Sequence, residues 1–258
     1  MIKRDDLIKE INSIIGKETL EKAEKKDELA NGIQFYGNEN VEKLTLGVSL
    51  NKDFLKEAVR IGSNFCIFHH GFDPKTYKSR YSLASQKRLN IIIKNNLTIA
   101  GYHYALDAHP TIGNNVTIAK LLDAKIKESL MEEWGYTAEF STPQDVKKLA
   151  EKCSRIFEHD TLAIYTGPEK VKTIGIISGG GKPYDQHLAE MTDKGVELFI
   201  SGESSESVPH KMKEMEINYF ACGHYATEVF GVQELGKKLK TKFKNKLEIE
   251  FIDIHNPL

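Results

Sequence analysis

With 258 residues the chain can build one large domain or two modest ones, each with a buried core. Apolar residues make up 40% and charged residues 28%, the balance of an ordinary globular protein rather than a disordered or membrane-spanning one. A net charge of -1 leaves no electrostatic case for nucleic-acid or membrane binding, because the many lysines are interleaved with acidic residues on what reads as a solvated surface.

The opening Met1-Ile2-Lys3-Arg4-Asp5-Asp6 lacks the apolar core of a secretory signal, and no run approaches the roughly 18 apolar residues of a membrane span. Cys66, Cys153 and Cys222 are odd in number, widely spaced and form no CxxC, which predicts free thiols in a reducing cytoplasm.

Residues 2–30 read as a helix, with Leu7, Ile8, Ile11, Ile14 and Ile15 at helical spacing, broken by Asn31-Gly32. A short extended piece over 33–36 and a strand over 44–50 follow, and Asp53 is placed to cap a helix through Phe54, Leu55, Ala58 and Val59. The strand 65–68 runs straight into His69-His70-Gly71, and the polar stretch 72–81 reads as a surface loop. A helix through Leu83–Ile93 and a strand over 97–102 lead to His103-Tyr104-Ala105-Leu106-Asp107-Ala108-His109-Pro110. Gly113-Asn114-Asn115 then caps a helix over 116–122. Strand and helix alternate throughout this half, the signature of a parallel or mostly parallel sheet.

Residues 123–134 read as a connection, and a strand near 136–140 resumes the pattern. Ser141 or Thr142, with Pro143 beside the first turn, is expected to cap a helix through Val146, Leu149 and Ala150. Strands over 162–165 and 173–177 follow, the second ending in Ser178-Gly179-Gly180-Gly181. A helix around 188–191 leads to a strand over 198–200 that ends in Ser201-Gly202-Glu203. A helix over 208–215 precedes the strand 217–222 and then Gly223-His224-Tyr225-Ala226-Thr227-Glu228, which opens a long helix. A final strand spans 247–254. The two halves repeat one scheme, although no residue-level repeat is visible.

In open α/β sheets ligands collect at the carboxyl ends of strands, where His69, His70, Asp107, Glu203 and His224 all fall. Neighbouring side chains of a strand point apart, so His69 and His70 are expected to serve two different ions rather than chelate one. Asp107 adds an oxygen, and His224 and Glu228, four apart on one helix face, can converge on one point. Imidazoles mixed with carboxylates suit zinc, iron, manganese or cobalt and disfavour calcium. A lone strand-end histidine is ordinarily structural; five such groups at three strand ends point to a metal site. His109, His159, His187, His210 and His255 lack that support and read as surface or supporting residues, while His103, four before Asp107, can orient a ligand. Cys66 and Cys222 read as small core residues rather than thiolate ligands. The run Gly179-Gly180-Gly181 is either a turn that needs positive φ or a place where a phosphate approaches the backbone; it is neither a P-loop nor GxGxxG.

Taken together, Asn31-Gly32-Ile33-Gln34, His69-His70-Gly71, Tyr102-His103 through Pro110, Gly113-Asn114-Asn115, Gly202-Glu203 and Gly223 through Glu228 resemble the GTP cyclohydrolase I type 2 homologue family, also called the NGG-interacting-factor-like family. The resemblance spans essentially the whole chain. It implies an α/β fold of two similar lobes with mostly parallel sheets and a dinuclear metal site in the cleft between them. The boundaries expected are one family domain, 1–258, with a first lobe over 1–125 completed by 220–258 and a second over 126–219. The resemblance implies His69 and Asp107 on one divalent metal ion, His70 and His224 on a second, and Glu228 bridging the two. It also implies a ring-shaped homo-hexamer, a trimer of dimers. The segment Phe72-Asp73-Pro74-Lys75 departs from some bacterial relatives in lacking a tryptophan, and the inserted domain of longer members is absent.

Two function classes follow. One is a metal-dependent hydrolase that converts GTP to dihydroneopterin triphosphate and formate, or attacks another nucleotide or phosphoester. In this reading Glu203 is a candidate catalytic base, although it can equally support a ligand or cap the next helix, and His103 is a second candidate catalytic group. Lys75, Lys78 and Arg80 could meet a triphosphate, against the blander reading of a solvated loop. The other class is a metal-handling or partner-binding protein without cyclohydrolase activity. Nucleic-acid binding through a ring finds no support in the net charge.

Overall fold

Gly16, at φ +86°, splits what reads in the sequence as a single helix over residues 2–30. The structure, a computed structural model describing residues 1–258, begins with a two-residue strand β1 (Ile2–Lys3), followed by α1 (Arg4–Ile15) and α2 (Lys17–Lys26). Asn31-Gly32, expected only to break the helix, already lies in strand β2 (Asn31–Phe35). After β3 (Asn40–Val41) come β4 (Lys43–Ser49), α3 (Lys52–Arg60) and β5 (Phe65–His70). Asn51, not Asp53, caps α3: its Oδ1 accepts from the backbone N–H of Asp53 (3.0 Å) and Phe54 (2.9 Å). The expected loop 72–81 contains a small hairpin, β6 (Thr76–Tyr77) and β7 (Arg80–Tyr81), turning through Lys78 and Ser79, both at positive φ as such two-residue turns require. Next come α4 (Leu83–Lys94), β8 (Thr98–Tyr102) and a one-turn helix α5 (Tyr104–Asp107).

The chain continues with α6 (Asn114–Leu121), β9 (Lys125–Leu130) and β10 (Gly135–Asp145). The expected connection over 123–134 is therefore a strand and a turn, β9 pairing antiparallel with β10 across Met131, Glu132 and Glu133, all at positive φ. Lys125-Ile126-Lys127-Glu128-Ser129-Leu130 hides its strand character because it is an outer strand of its sheet, where charged side chains are tolerated. Nor does a helix start at Ser141 or Thr142. Strand β10 runs through Pro143, which lies in an irregular stretch of its pairing between Glu139 and Gln144, where no ladder donor is demanded. Asp145 caps α7 (Val146–Phe157) instead, accepting from the N–H of Lys147 and Lys148 at 3.0 Å. Then follow β11 (Leu162–Ile164), β12 (Lys170–Ile177), α8 (Asp185–Asp193), β13 (Leu198–Ser201), α9 (Val208–Met215), β14 (Asn218–Ala221), α10 (His224–Phe243) and β15 (Glu248–Phe251).

The chain divides into a first unit, Met1–His109 with Gly231–Ile254, and a second, Pro110–Phe230 with His255–Leu258. Residues 110–125 and 220–230, expected in the first lobe, fall in the second unit, where Ile118 and Ala119 share a core with Phe140, Leu149 and Ile174.

In the first unit a five-stranded sheet runs β15-β4-β5-β8-β2, parallel except for β2. Phe65, Cys66, Ile67 and Phe68 of β5 are wholly buried, as befits a central parallel strand. Phe54 and Leu55 of α3 and Ile92 of α4 pack with Cys66 and Phe68 on one face. In the second unit a six-stranded sheet runs β11-β14-β13-β12-β10-β9. Only β12, β13 and β14 are parallel; β11, β10 and β9 are antiparallel to their neighbours, so this sheet is mixed rather than mostly parallel. Side chains of α6 and α7 join Ile174, Ile176, Leu198 and Ile200 in one core, and those of α8 and α9 join Phe199 and Tyr219 in another. Cys66, Cys153 and Cys222 are all buried core thiols. No helix is long and apolar enough to cross a membrane.

Gly47 of β4 is where this packing is least forgiving, since an added Cβ would overlap the Phe54 ring and stand 2.8 Å from its Cδ2. Gly47→Ala is expected to lower unfolding stability by about 1–3 kcal/mol, the usual cost of overpacking, as a fall in urea midpoint at unchanged slope.

Candidate metal centre

In the first unit β5 is flanked by β4 and β8, and the two histidines at its end are anchored on different flanking strands. His69 turns towards β8: its Nδ1 lies 3.1 Å from the carbonyl oxygen of Tyr102 and, since a carbonyl can only accept, that nitrogen carries the proton. His70 turns towards β4, with Nδ1 2.9 Å from Ser49 Oγ. Strand alternation predicts divergent side chains, yet the two ring centroids stand 4.6 Å apart. His69 is fully buried and its Nε2 is 3.5 Å from Oδ2 of the buried Asp107, the last residue of α5.

His103, immediately before α5, joins them. Its ring centroid is 4.8 Å from that of His69 and 5.3 Å from that of His70, and one donor atom from each of the three histidines lies within 4.8 Å of the others. The ring is held by Asp27, whose Oδ2 accepts from His103 Nδ1 at 2.9 Å. That carboxylate also accepts from the backbone N–H groups of Tyr104 (3.0 Å) and Leu29 (2.9 Å) and from Asn31 Nδ2 (2.8 Å). Burial alone would raise the Asp27 pKa, but His103 and the two backbone donors outweigh it and bring the group down to about 2. Asn31 Oδ1 takes the N–H of Ala105 at 2.9 Å, so Asp27 and Asn31 together fix the start of α5, the helix that ends at Asp107. Asp27 carries no signal in the sequence beyond an acidic residue four before Asn31-Gly32. His109 is buried and bonded through Nε2 to the Ile14 carbonyl (3.2 Å), a structural residue rather than a surface one.

In the second unit three parallel strands deliver the remaining groups. The end of β12 leads to Ser178-Gly179, the end of β13 to Gly202-Glu203 and the end of β14 to Gly223-His224. His224 Nδ1 lies 2.6 Å from Glu203 Oε1, and its Nε2 lies 3.2 Å from Oε1 of the buried Glu228, one helical turn on. Burial opposes a charge on His224, but Glu228 and then Glu203 outweigh it and raise the pKa to about 9. A divalent cation supplies positive charge in the same place and would displace that Nε2 proton. The second Glu203 oxygen, Oε2, is 3.0 Å from Lys182 Nζ. His224 and then Lys182 hold the Glu203 carboxyl below its ordinary range despite partial burial. Lys182 directly follows the glycine run, the one clue to it in the sequence.

Gly179 resolves the glycine run into a definite requirement. It sits at φ +59°, and an added Cβ would overlap Glu228 Oε1 and stand 3.1 Å from His224 Nε2. The backbone here is pressed against the donor atoms. It is pinned by Gly179 N–H to Thr227 Oγ1 (2.9 Å) and by Ser178 N–H to Asn115 Oδ1 (2.8 Å). Lys75, Lys78 and Arg80 are exposed on and beside the β6–β7 hairpin, where Lys75 pairs with Asp73 at 3.2 Å.

Imidazoles anchored through Nδ1 on neighbouring oxygens, set beside buried carboxylates, form a donor set suited to zinc, iron, manganese or cobalt. The family model for Duf34/NIF3 (NGG1p interacting factor 3) matches residues 2–257. A protein of Buchnera aphidicola called "GTP cyclohydrolase 1 type 2 homolog" is 35% identical over 234 residues, covering 90% of this chain and 92% of its own. One of the same name from Escherichia coli K12 is 34% identical over 243 residues, covering 93% and 95%. Among solved structures, one described as protein ybgI of unknown function covers both chains fully at TM-score 0.88 and 32% identity. Another, TTHA1606 from Thermus thermophilus, does so at TM-score 0.84 and 25% identity.

Gly179→Ala is expected to weaken cobalt or zinc binding at least about tenfold, since the donors must move to admit the methyl group. Glu203→Gln should weaken it by a similar factor through loss of the charged partner of His224 Nδ1. Titration of the metal-free protein against a chromophoric chelator measures both.

Proposed function

The chain belongs to the Duf34/NIF3 (NGG1p interacting factor 3) family, and on that footing we propose that it is a dinuclear metal-dependent hydrolase acting on GTP. His69 and Asp107 would hold one divalent cation, His70 and His224 the other, and Glu228 would bridge; a two-lobed arrangement around that centre is part of the same proposal. The observation that carries the reading is the anchoring of Nδ1 of His69 and His224 on acceptor-only oxygens, of Tyr102 and Glu203, which leaves Nε2 of each ring as the donor. When bound, a pair of such ions supplies Lewis acidity towards a developing oxyanion.

The chain's own residues then have distinct duties. Glu203, charged and held by Lys182, keeps His224 in one tautomer and stands as a proton acceptor at the rim of the site. His103, held by Asp27, fills the corresponding position in the first unit. Gly180, whose added Cβ would meet nothing nearer than 3.8 Å, leaves backbone accessible to a phosphate or purine. The overall reaction consumes one water, removes C8 of the guanine ring as formate and leaves dihydroneopterin triphosphate. The name carried by the curated relatives supports GTP as the first substrate to try. A second reading, a metal-handling or partner-binding protein, draws on the family description, which names an interaction rather than a reaction. The proposal includes a ring-shaped homo-hexamer in a reducing cytoplasm, in keeping with three unpaired core thiols.

Metal-loaded protein incubated with GTP is expected to release formate and a fluorescent pterin, with turnover abolished in Glu228→Ala and His224→Ala. Absence of turnover across a nucleotide panel, with metal fully bound, would sink the hydrolase reading and leave the handling role. Sedimentation of the same samples at the mass of one chain would contradict the hexamer.

A further inference from the structure

The middle glycine of the turn after β12 is the one that the fold does not ask for. Gly179 sits at φ +59° against Glu228, and a Cβ at Gly181 would overlap the side chain of Ile177. Gly180 has neither constraint. Its φ lies outside the left-handed region, and an added Cβ would stand in ordinary contact, 3.8 Å from His224 Cε1 and 3.9 Å from Glu203 Oε2. Backbone and packing would both accept a side chain here, and that side chain would fill the space beside the His224 ring. Glycine costs conformational entropy on folding, so its place is explained by what it leaves open. The amides on either side are used within the second unit. Gly179 N–H donates to Thr227 Oγ1 (2.9 Å), Gly181 N–H to the Ser178 carbonyl (3.3 Å) and Lys182 N–H to the Gly180 carbonyl (2.9 Å). Gly180 itself is exposed.

Lys182 brings positive charge to the same point. Its Nζ lies 3.0 Å from Glu203 Oε2, the oxygen that a Gly180 Cβ would approach, so ammonium and open backbone flank one carboxylate oxygen. The lysine side chain is 25% exposed, sheltered yet within reach of solvent. An ammonium has three donors, and Glu203 takes one of them. Open backbone in a strand-end turn, with a lysine as a point charge beside it, is an arrangement that binds phosphate. A phosphoryl group has three acceptor oxygens, enough to meet ammonium and backbone together. We propose that Gly180 and Lys182 form a subsite beside the metal centre that takes a phosphoryl group of the substrate. This rests on the metal-dependent hydrolase reading above and narrows its substrates to phosphorylated compounds. Glu203 and Glu228 oppose an anion, so the subsite works with the metal centre filled.

The test uses the full chain loaded with cobalt(II), titrated calorimetrically with inorganic tripolyphosphate and, separately, with GTP. Lys182→Gln, compared with wild type at equal cobalt content, is expected to bind tripolyphosphate about 10–100-fold more weakly, the usual loss of a hydrogen bond to a charged group. Lys182→Arg keeps the charge and is expected to recover most of that affinity. The same dependence with GTP shows that the subsite takes a nucleotide as well as a free polyphosphate. A lysine that only holds Glu203 would leave tripolyphosphate affinity unchanged once cobalt content is matched, and that result overturns the proposal while leaving the metal centre standing. A cobalt-loaded wild type that binds no tripolyphosphate overturns it likewise, and a wild type that takes up no cobalt overturns both readings. Lys182-dependent binding without turnover of GTP would support the subsite and sink GTP hydrolysis alone. Should Lys182→Gln fail to fold, Gly180→Leu at its exposed position decides the matter: tripolyphosphate affinity is expected to fall at least about tenfold, and an unchanged affinity overturns the proposal.

Discussion

Adjacent parallel strands in register finish at the same level, and the site chemistry of this protein depends on that. In the first unit Ser49 pairs with His70 across β4 and β5, and Phe68 pairs with Gly101 across β5 and β8. Ser49, His69, His70, Tyr102 and His103 are thereby delivered to one edge. In the second unit Ile177 pairs with Ser201, and Ser201 with Ala221, so Gly179, Glu203 and His224 leave their strands side by side. The register is held by burial: a slip of one residue would turn Cys66 and Phe68 away from α3 and α4 and carry every site residue to the wrong face.

The second controlling element is the treatment of buried imidazoles. A ring nitrogen taken from water without a partner costs free energy, and a ring free to flip presents its donor in two places. Each unit answers with oxygens that can only accept: the Tyr102 carbonyl and Asp27 in one, Glu203 in the other. The carboxylates need holding in turn. Asp27 is satisfied by Leu29, Asn31, His103 and Tyr104, and Glu203 by His224 and Lys182. Tyr219 adds a hydrogen bond from its hydroxyl to the Glu203 carbonyl. Each chain of contacts runs from donor atom back to backbone, which holds the candidate ligands in one arrangement.

Close approach of backbone is the remaining requirement. Gly179 lies against Glu228 and His224, and an added Cβ at Gly202 would meet the Gly179 carbonyl at 2.6 Å and Thr227 Oγ1 at 2.8 Å. The thiols play no part in this chemistry. Cys66 is pushed up to about 11 by burial, and Cys222 is likewise raised, so both stay protonated within their cores.

Much of this is legible in the residues themselves. Apolar runs such as Phe65–Phe68 and Leu198–Ile200 mark buried strands whatever surrounds them, and the polar groups that follow each run mark its carboxyl end. Strand β9 is not legible, because at the edge of its sheet one face of Lys125–Leu130 meets water and its charges mimic a loop. The start of α7 is ambiguous because Pro143 is compatible with an irregular strand as well as a helix start, and only pairing with β12 decides between them. Histidine and carboxylate identity, together with position after a strand, determined which side chains are candidate ligands. Tertiary structure alone decided that the rings of His69 and His70 converge, that Asp27 stands behind His103, and that Lys182 and Glu203 stand behind His224. Those arrangements join residues 21 to 76 positions apart through hydrogen bonds whose geometry no local spacing encodes.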